Sequence, residues 1–135
     1  MSALCERYDL DALYAFGSRA TEVATCVRGE KDLDSESAAD LDFGVLPEIG
    51  CVVEIDDRVH LTAALEDLFD VPRVDLVVLS LASPYLALDI VSGELLCCSD
   101  PIREAEYQLF VLRRAGDLAF FERERRRQLL SGMAP

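Results

Sequence analysis

The chain has 135 residues, 51% of them hydrophobic, and a formal net charge of -13. This is the length of one ordinary domain with enough apolar content to bury a core, which excludes a disordered chain. The excess of carboxylates opposes binding to a phosphate backbone, which needs clustered Lys and Arg, and favours cationic partners, metal ions among them.

No apolar run approaches the ~20 residues of a membrane span, and the first residues carry Glu6, Asp9 and Asp11 rather than an export signal. A cytoplasmic protein without membrane contact is the expectation. Five cysteines (Cys5, Cys26, Cys51, Cys97, Cys98) make an odd number with no C-x-x-C pair, and His60 is the only histidine. Reduced thiols and no zinc site follow from that pattern, with His60 an ordinary helix-surface residue.

In chain order, Ala12 to Phe16 reads as a short buried strand ended by Gly17-Ser18. Residues 19–28 suit a helix. Residues 29–39, GEKDLDSESAA, are acidic and polar and read as an exposed loop, mobile without a ligand. Residues 40–46, DLDFGVL, form a second strand, closed by a turn at Pro47 and Gly50. Residues 51–55 extend the sheet. Leu61, Ala64, Leu65 and Leu68 repeat at helical spacing and place a helix over 57–70, capped by Asp56 or Asp57. The β-branched run 73–79 reads as a central strand. Ser83-Pro84 opens another helix, with Ser83 as cap and Pro84 at its first position, running to Gly93. LLCC is a short strand, and Asp100-Pro101 starts a long helix to about residue 130 with a bend at Gly116. Strands alternating with helices give an α/β or α+β domain without repeat or linker.

The chemistry concentrates in two places. Residues i and i+2 of a strand share a face, so Asp40 and Asp42 project side by side. Two carboxylates that close repel unless a cation sits between them. Asp75 opens the buried run Leu76 to Leu79, and three hard oxygen ligands suit Mg²⁺ with phosphate and water completing its shell. Gly17 permits close backbone approach, and the amides after it together with the Ser18 hydroxyl suit an anion. Asp-x-Asp alone is a weak signal, because DLD also occurs at Asp9–Asp11 and Asp32–Asp34. Only Asp42 runs into a strand-forming Phe-Gly-Val-Leu.

With LYAFGSRA, DLDFGVL and VDLVVLSLASP in place, the sequence resembles the minimal nucleotidyltransferases of the DNA polymerase β superfamily, in the branch represented by MntA antitoxins. LLCCSDPIREAEYQLFVLRR resembles the family's C-terminal helix, and the resemblance spans roughly residues 8–125. It implies a short mixed sheet with flanking helices, ATP as donor and a two-metal Mg²⁺ site. By motif position, Gly17, Ser18 and Arg19 fall in the nucleotide-binding turn. Asp40 and Asp42 match the metal-binding pair, and Asp75 the third carboxylate. The family's antitoxin transfers AMP to a tyrosine of a HepT-type toxin, a ribonuclease. Two departures stand out. Between Ser18 and Asp40 lie 21 residues, about twice the family's usual connection, and Ala39 stands where a Ser normally precedes the first Asp.

On a helical wheel the last helix carries two apolar stripes. One holds Ile102, Ala105, Leu109, Leu112, Ala119 and Phe120; the other holds Tyr107, Phe110, Val111, Leu118 and Phe121. A terminal helix needs one stripe for its own fold, so the second, with its three aromatics, is the expected surface for a HepT-like partner. The basic tail at Arg123 and Arg125 to Arg127 reads as a solvated helix end. Two readings stand beside AMP transfer to a protein: an antitoxin-like module that neutralises by binding, and a small-molecule nucleotidyltransferase, for which so short a chain has little room for an acceptor pocket.

Overall fold

The structure, a computed structural model, describes residues 1–132. A six-residue helix, α1 (Ser2–Arg7), leads into β1 (Leu10–Phe16), α2 (Ala20–Val27), β2 (Leu41–Pro47) and α3 (Ile55–Phe69). Then come β3 (Val74–Val78), one 3₁₀ turn (Leu79–Leu81), α4 (Pro84–Val91), β4 (Glu94–Cys98) and α5 (Pro101–Gly132). The four strands form one mixed sheet in the order β3-β2-β1-β4. β1 runs antiparallel to β2 and to β4, while β2 and β3 are parallel. The mixed sheet with flanking helices and a long C-terminal helix is the expected fold class.

Alternation of side chains builds a core on both faces. Leu13 and Ala15 of β1, Leu41, Phe43 and Val45 of β2, and Val74, Leu76 and Val78 of β3 share one cluster with Cys5 of α1, Val23 of α2 and Leu61, Leu65 and Phe69 of α3. Ala12, Tyr14 and Leu46 point the other way, onto Ala87, Ile90 and Val91 of α4 and Val111 of α5. Gly44 is the contact point for α4: a Cβ there would overlap Ile90 Cγ2, so only glycine lets the helix sit this close.

Ser83 caps α4 as expected, its hydroxyl accepting from the Leu86 amide with Pro84 in the first turn. Several boundaries differ. Residues 51–54 lie outside any strand, and α3 begins at Ile55 after Glu54, so Asp56 and Asp57 sit in its first turn rather than capping it. There they complement the helix dipole. β3 is an edge strand, not a central one. Its apolar run is buried by α3, and a helix and a neighbouring strand leave the same signature in sequence.

The thiols also differ from expectation. Cys5 and Cys97, 92 residues apart in sequence, form a disulfide joining α1 to β4, while Cys26, Cys51 and Cys98 are free. Spacing carried no hint of that pair because only the packing of α1 beside β4 brings it together.

α5 continues through Gly116 without interruption. Its buried residues are Glu104, Val111 and Ala115, and Tyr107 and Leu118 are half-buried. The second stripe therefore supplies much of the inward face. Ile102, Leu109, Leu112 and Phe120 of the first stripe are exposed, as are Phe110 and Phe121. Polar contacts complete the docking: the Tyr14 hydroxyl donates to Glu104, which also accepts from Gln108. Burial and the adjacent Glu104 push the Tyr14 hydroxyl far up from its usual range, so it remains a donor. Arg103 pairs with the buried Asp11 at 3.1 Å. Among the described residues no helix is long and apolar enough to cross a membrane.

Candidate active site

The end of β1 and the start of β2 lie opposite each other, with Phe16 paired to Asp42. Asp42 is paired to Asp75 across the parallel β2–β3 ladder. Both carboxylates alternate with residues packed under α1 to α3, so both project from the α4 side of the sheet. Asp42 is partly buried, and its carboxyl is pushed up from the usual carboxylate range. Burial is the main cause; the charges of Asp75 and Asp40, and a hydrogen-bonding approach of Asp75, add to it.

Gly17 closes this corner. Its φ is +77°, a left-handed conformation that glycine adopts without strain. A Cβ at this position would lie 2.5 Å from Asp42 Oδ2. The missing side chain is thus what lets the carboxylate lie against the turn. Ser18 follows, exposed, and the Ala20 amide closes the turn onto the Gly17 carbonyl at 3.3 Å.

Asp40 differs from its sequence reading. β2 begins at Leu41, so Asp40 stands one residue before the strand and not on it beside Asp42. Its Oδ2 is 3.8 Å from Arg73 Nε, while its charge still reaches Asp42. Among the described residues no group of three His, Cys, Asp or Glu side chains is set to hold a metal ion. Asp42 and Asp75 come together; Asp40 stands beside them, turned to Arg73.

Arg19 is the least exposed of the motif residues, at 7%. Nε and Nη2 donate to the two Glu22 carboxylate oxygens, both at 2.9 Å. Nη1 donates to the Ala39 carbonyl at 2.9 Å and Nη2 to the Asp34 carbonyl at 3.0 Å. Glu22 also accepts from the Asp34 amide at 2.6 Å. Its carboxyl is held down to about 2, first by the Arg19 hydrogen bond and then by the Asp34 amide against the opposing effect of burial. Sequence reading missed Glu22. Its only trace was the i, i+3 spacing from Arg19, a common helix-surface pattern.

An open hollow of about 480 Å³ adjoins the turn, lined by Gly17, Thr21, Asp89, Ser92 and Glu94 among others. Asp89 and Glu94 were also missed, since nothing in sequence places the α4–β4 connection beside Gly17. The donor set fits a hard divalent cation: oxygen ligands only, with Asp42 and Asp75 crowding like charges at one point.

No family model matches this sequence, and no curated protein matches it. Solved structures do. One is a crystal structure of a mutant of the toxin–antitoxin MntA-HpeT, with TM-score 0.65 and 20% identity, covering 98% of this chain and 95% of that one. A toxin–antitoxin structure with AMP-PNP matches with TM-score 0.62 and 20% identity over 98% and 95% of the two chains. A third describes a tri-AMPylated Shewanella oneidensis HEPN toxin in complex with an MNT antitoxin. It matches with TM-score 0.58 and 22% identity over 98% and 92%. The chain has the fold found in these toxin–antitoxin structures, from end to end.

Proposed function

We propose that this protein is an antitoxin-type nucleotidyltransferase that transfers AMP from ATP to a protein acceptor, a tyrosine of a cognate HepT-like toxin. The observation that carries this reading is the placement of Asp42, paired across the ladder with Asp75, directly against the Gly17 turn. A turn suited to phosphate and a carboxylate pair suited to a cation meet at one corner of the sheet. Support also comes from the shared fold, since structures with this fold include one with AMP-PNP and one with an AMPylated toxin.

In this reading Gly17 lets the triphosphate approach the backbone, and the Ser18 hydroxyl donates to it. Asp42 and Asp75, with Asp40, would hold Mg²⁺, which neutralises the triphosphate and lowers the pKa of an acceptor hydroxyl. Holding the acceptor oxygen in line with the α-phosphorus is the protein's contribution to rate; the new P–O bond forms as pyrophosphate leaves. The hollow bordered by Thr21, Asp89 and Glu94 gives the nucleoside room beside the turn. The exposed Ile102, Leu109, Phe110, Leu112, Phe120 and Phe121 on α5 give a protein acceptor its surface.

The exposed α5 surface favours a second reading, a module that neutralises its partner by binding alone. Incubation with ATP, Mg²⁺ and the product of the neighbouring gene, followed by intact mass measurement, decides between them. AMP transfer adds one or more adenylyl groups to the partner. Stable complex formation with an unmodified partner overturns the enzyme reading.

A further inference from the structure

We propose that Arg19 is a positioning residue: with Glu22 it clamps the long connection after α2 and thereby fixes the backbone that delivers Asp40 and Asp42 to the site. Arg19 directly follows the Gly17-Ser18 turn, and Ala39 directly precedes Asp40. One guanidinium thus ties the two halves of the site together. Four donor contacts, two to Glu22 and one each to the carbonyls of Ala39 and Asp34, occupy most of its five N–H groups. The fork geometry is the reason for arginine here, because a lysine cannot meet a carboxylate and two carbonyls in one plane.

The clamp resolves two features of the sequence at once. A connection of this length would leave Asp40 at the end of a floppy chain, and the position before Asp40 holds Ala39, which has no side-chain oxygen to fix its own backbone. Arg19 reaches that backbone from the other side. Glu22 neutralises the buried cation and grips the Asp34 amide. Local bonds do the rest: the Glu36 amide donates to Asp34 Oδ1, and the Ala39 amide approaches Ser37 Oγ at 3.4 Å. A guanidinium so engaged is not free to bind a phosphate, and this distinguishes Arg19 from Ser18.

The catalytic consequence rests on the AMP-transfer reading; the clamp itself does not. The test uses the full chain and the variants Arg19→Lys and Glu22→Gln. Hydrogen exchange of amides 34–40 and Mn²⁺ titration are followed, with ATP affinity measured separately. Both variants are expected to speed exchange at 34–40 at least about tenfold and to weaken Mn²⁺ binding about tenfold, the usual effect of disturbing a group behind a metal ligand. Exchange in β1 and α4 stays unchanged. If exchange at 34–40 is unaltered in both variants, the proposal is overturned. It is equally overturned if Arg19→Lys weakens ATP binding alone while Glu22→Gln is silent, which makes Arg19 a phosphate ligand. Should Arg19→Lys fail to fold, Glu22→Gln on its half-buried partner carries the same measurement. A parent protein that binds no Mn²⁺ overturns the active-site reading, and the exchange measurement still decides the clamp.

Discussion

Asp42 and Asp75 are paired across neighbouring parallel strands and share one face of the sheet, and Asp42 lies against a glycine that has no side chain to displace it. Like charges in register oppose folding. Replacing Asp42 with Asn is therefore expected to leave the protein as stable or stabler, by up to ~1 kcal/mol. If the protein is the proposed AMP transferase, transfer is expected to fall by at least about a hundredfold, since losing a metal ligand removes several kcal/mol of transition-state stabilisation. Thermal unfolding and partner mass spectra on one sample check both halves.

Gly17→Ala puts a methyl group where Asp42 Oδ2 lies and forces a left-handed φ on an L-residue. A loss of about 1–3 kcal/mol of stability is expected. Nucleotide affinity falls with it, because the carboxylate must move. Ser18→Ala is the control: exposed at the turn, it should weaken ATP binding and leave the unfolding midpoint where it was.

The Arg19–Glu22 contact sets an acid limit on the 34–40 segment. Glu22 titrates at about 2 in the folded chain, below its ordinary value of 4.5. Its contribution is therefore complete above pH ~4.5 and is lost as pH falls toward 2. Denaturant unfolding followed between pH 6 and 2 should lose stability over this window, and Glu22→Gln should lose less of it than the parent does.

Much of this was legible in the sequence, for local reasons. The Ser83-Pro84 cap, the strand ending at Gly17 and the start of α5 each depend on a few neighbouring residues. What was not legible depends on contacts between distant segments. α1 is too short to show a period. The edge position of β3, the Cys5–Cys97 bond and the Arg19 contact to Ala39 are fixed by which elements pack together. The alternation of DLD alone puts Asp40 on β2, whereas the ladder with β3 starts one residue later, at Leu41 opposite Val74.

The double variant Asp40→Asn, Asp42→Asn keeps side-chain shape at both positions. If neutralisation proceeds by AMP transfer to a partner, the variant should still bind that partner and fail to protect cells from it. Phe110→Asp or Phe121→Asp on the exposed part of α5 should abolish binding and leave ATP affinity unchanged. Co-purification and growth assays of the three variants separate the outcomes. Full protection by the double variant, with no mass added to the partner, would mean that binding alone neutralises.

Disulfide closure of a loop this long is expected to contribute about 2–4 kcal/mol. Cys5→Ser should lower stability by that amount under oxidising conditions and by little in reductant. Intact mass before and after thiol alkylation, without reductant, counts the free cysteines directly.

The length of α5 gives the molecule an electrical shape. Thirty-two residues at ~1.5 Å each make a rod of ~48 Å, and its buried residues end at Ala115. Arg123 and Arg125 to Arg127 ride on its far portion, partly offset there by Glu122 and by Glu124, which pairs with Arg127, while most of the carboxylates that set the net charge of -13 lie in the body. The body is thus strongly acidic and the far end of the helix close to neutral, a charge asymmetry laid out along a long rod. A cationic partner would be drawn toward the acidic body before any surfaces touch, at a rate that falls as salt rises.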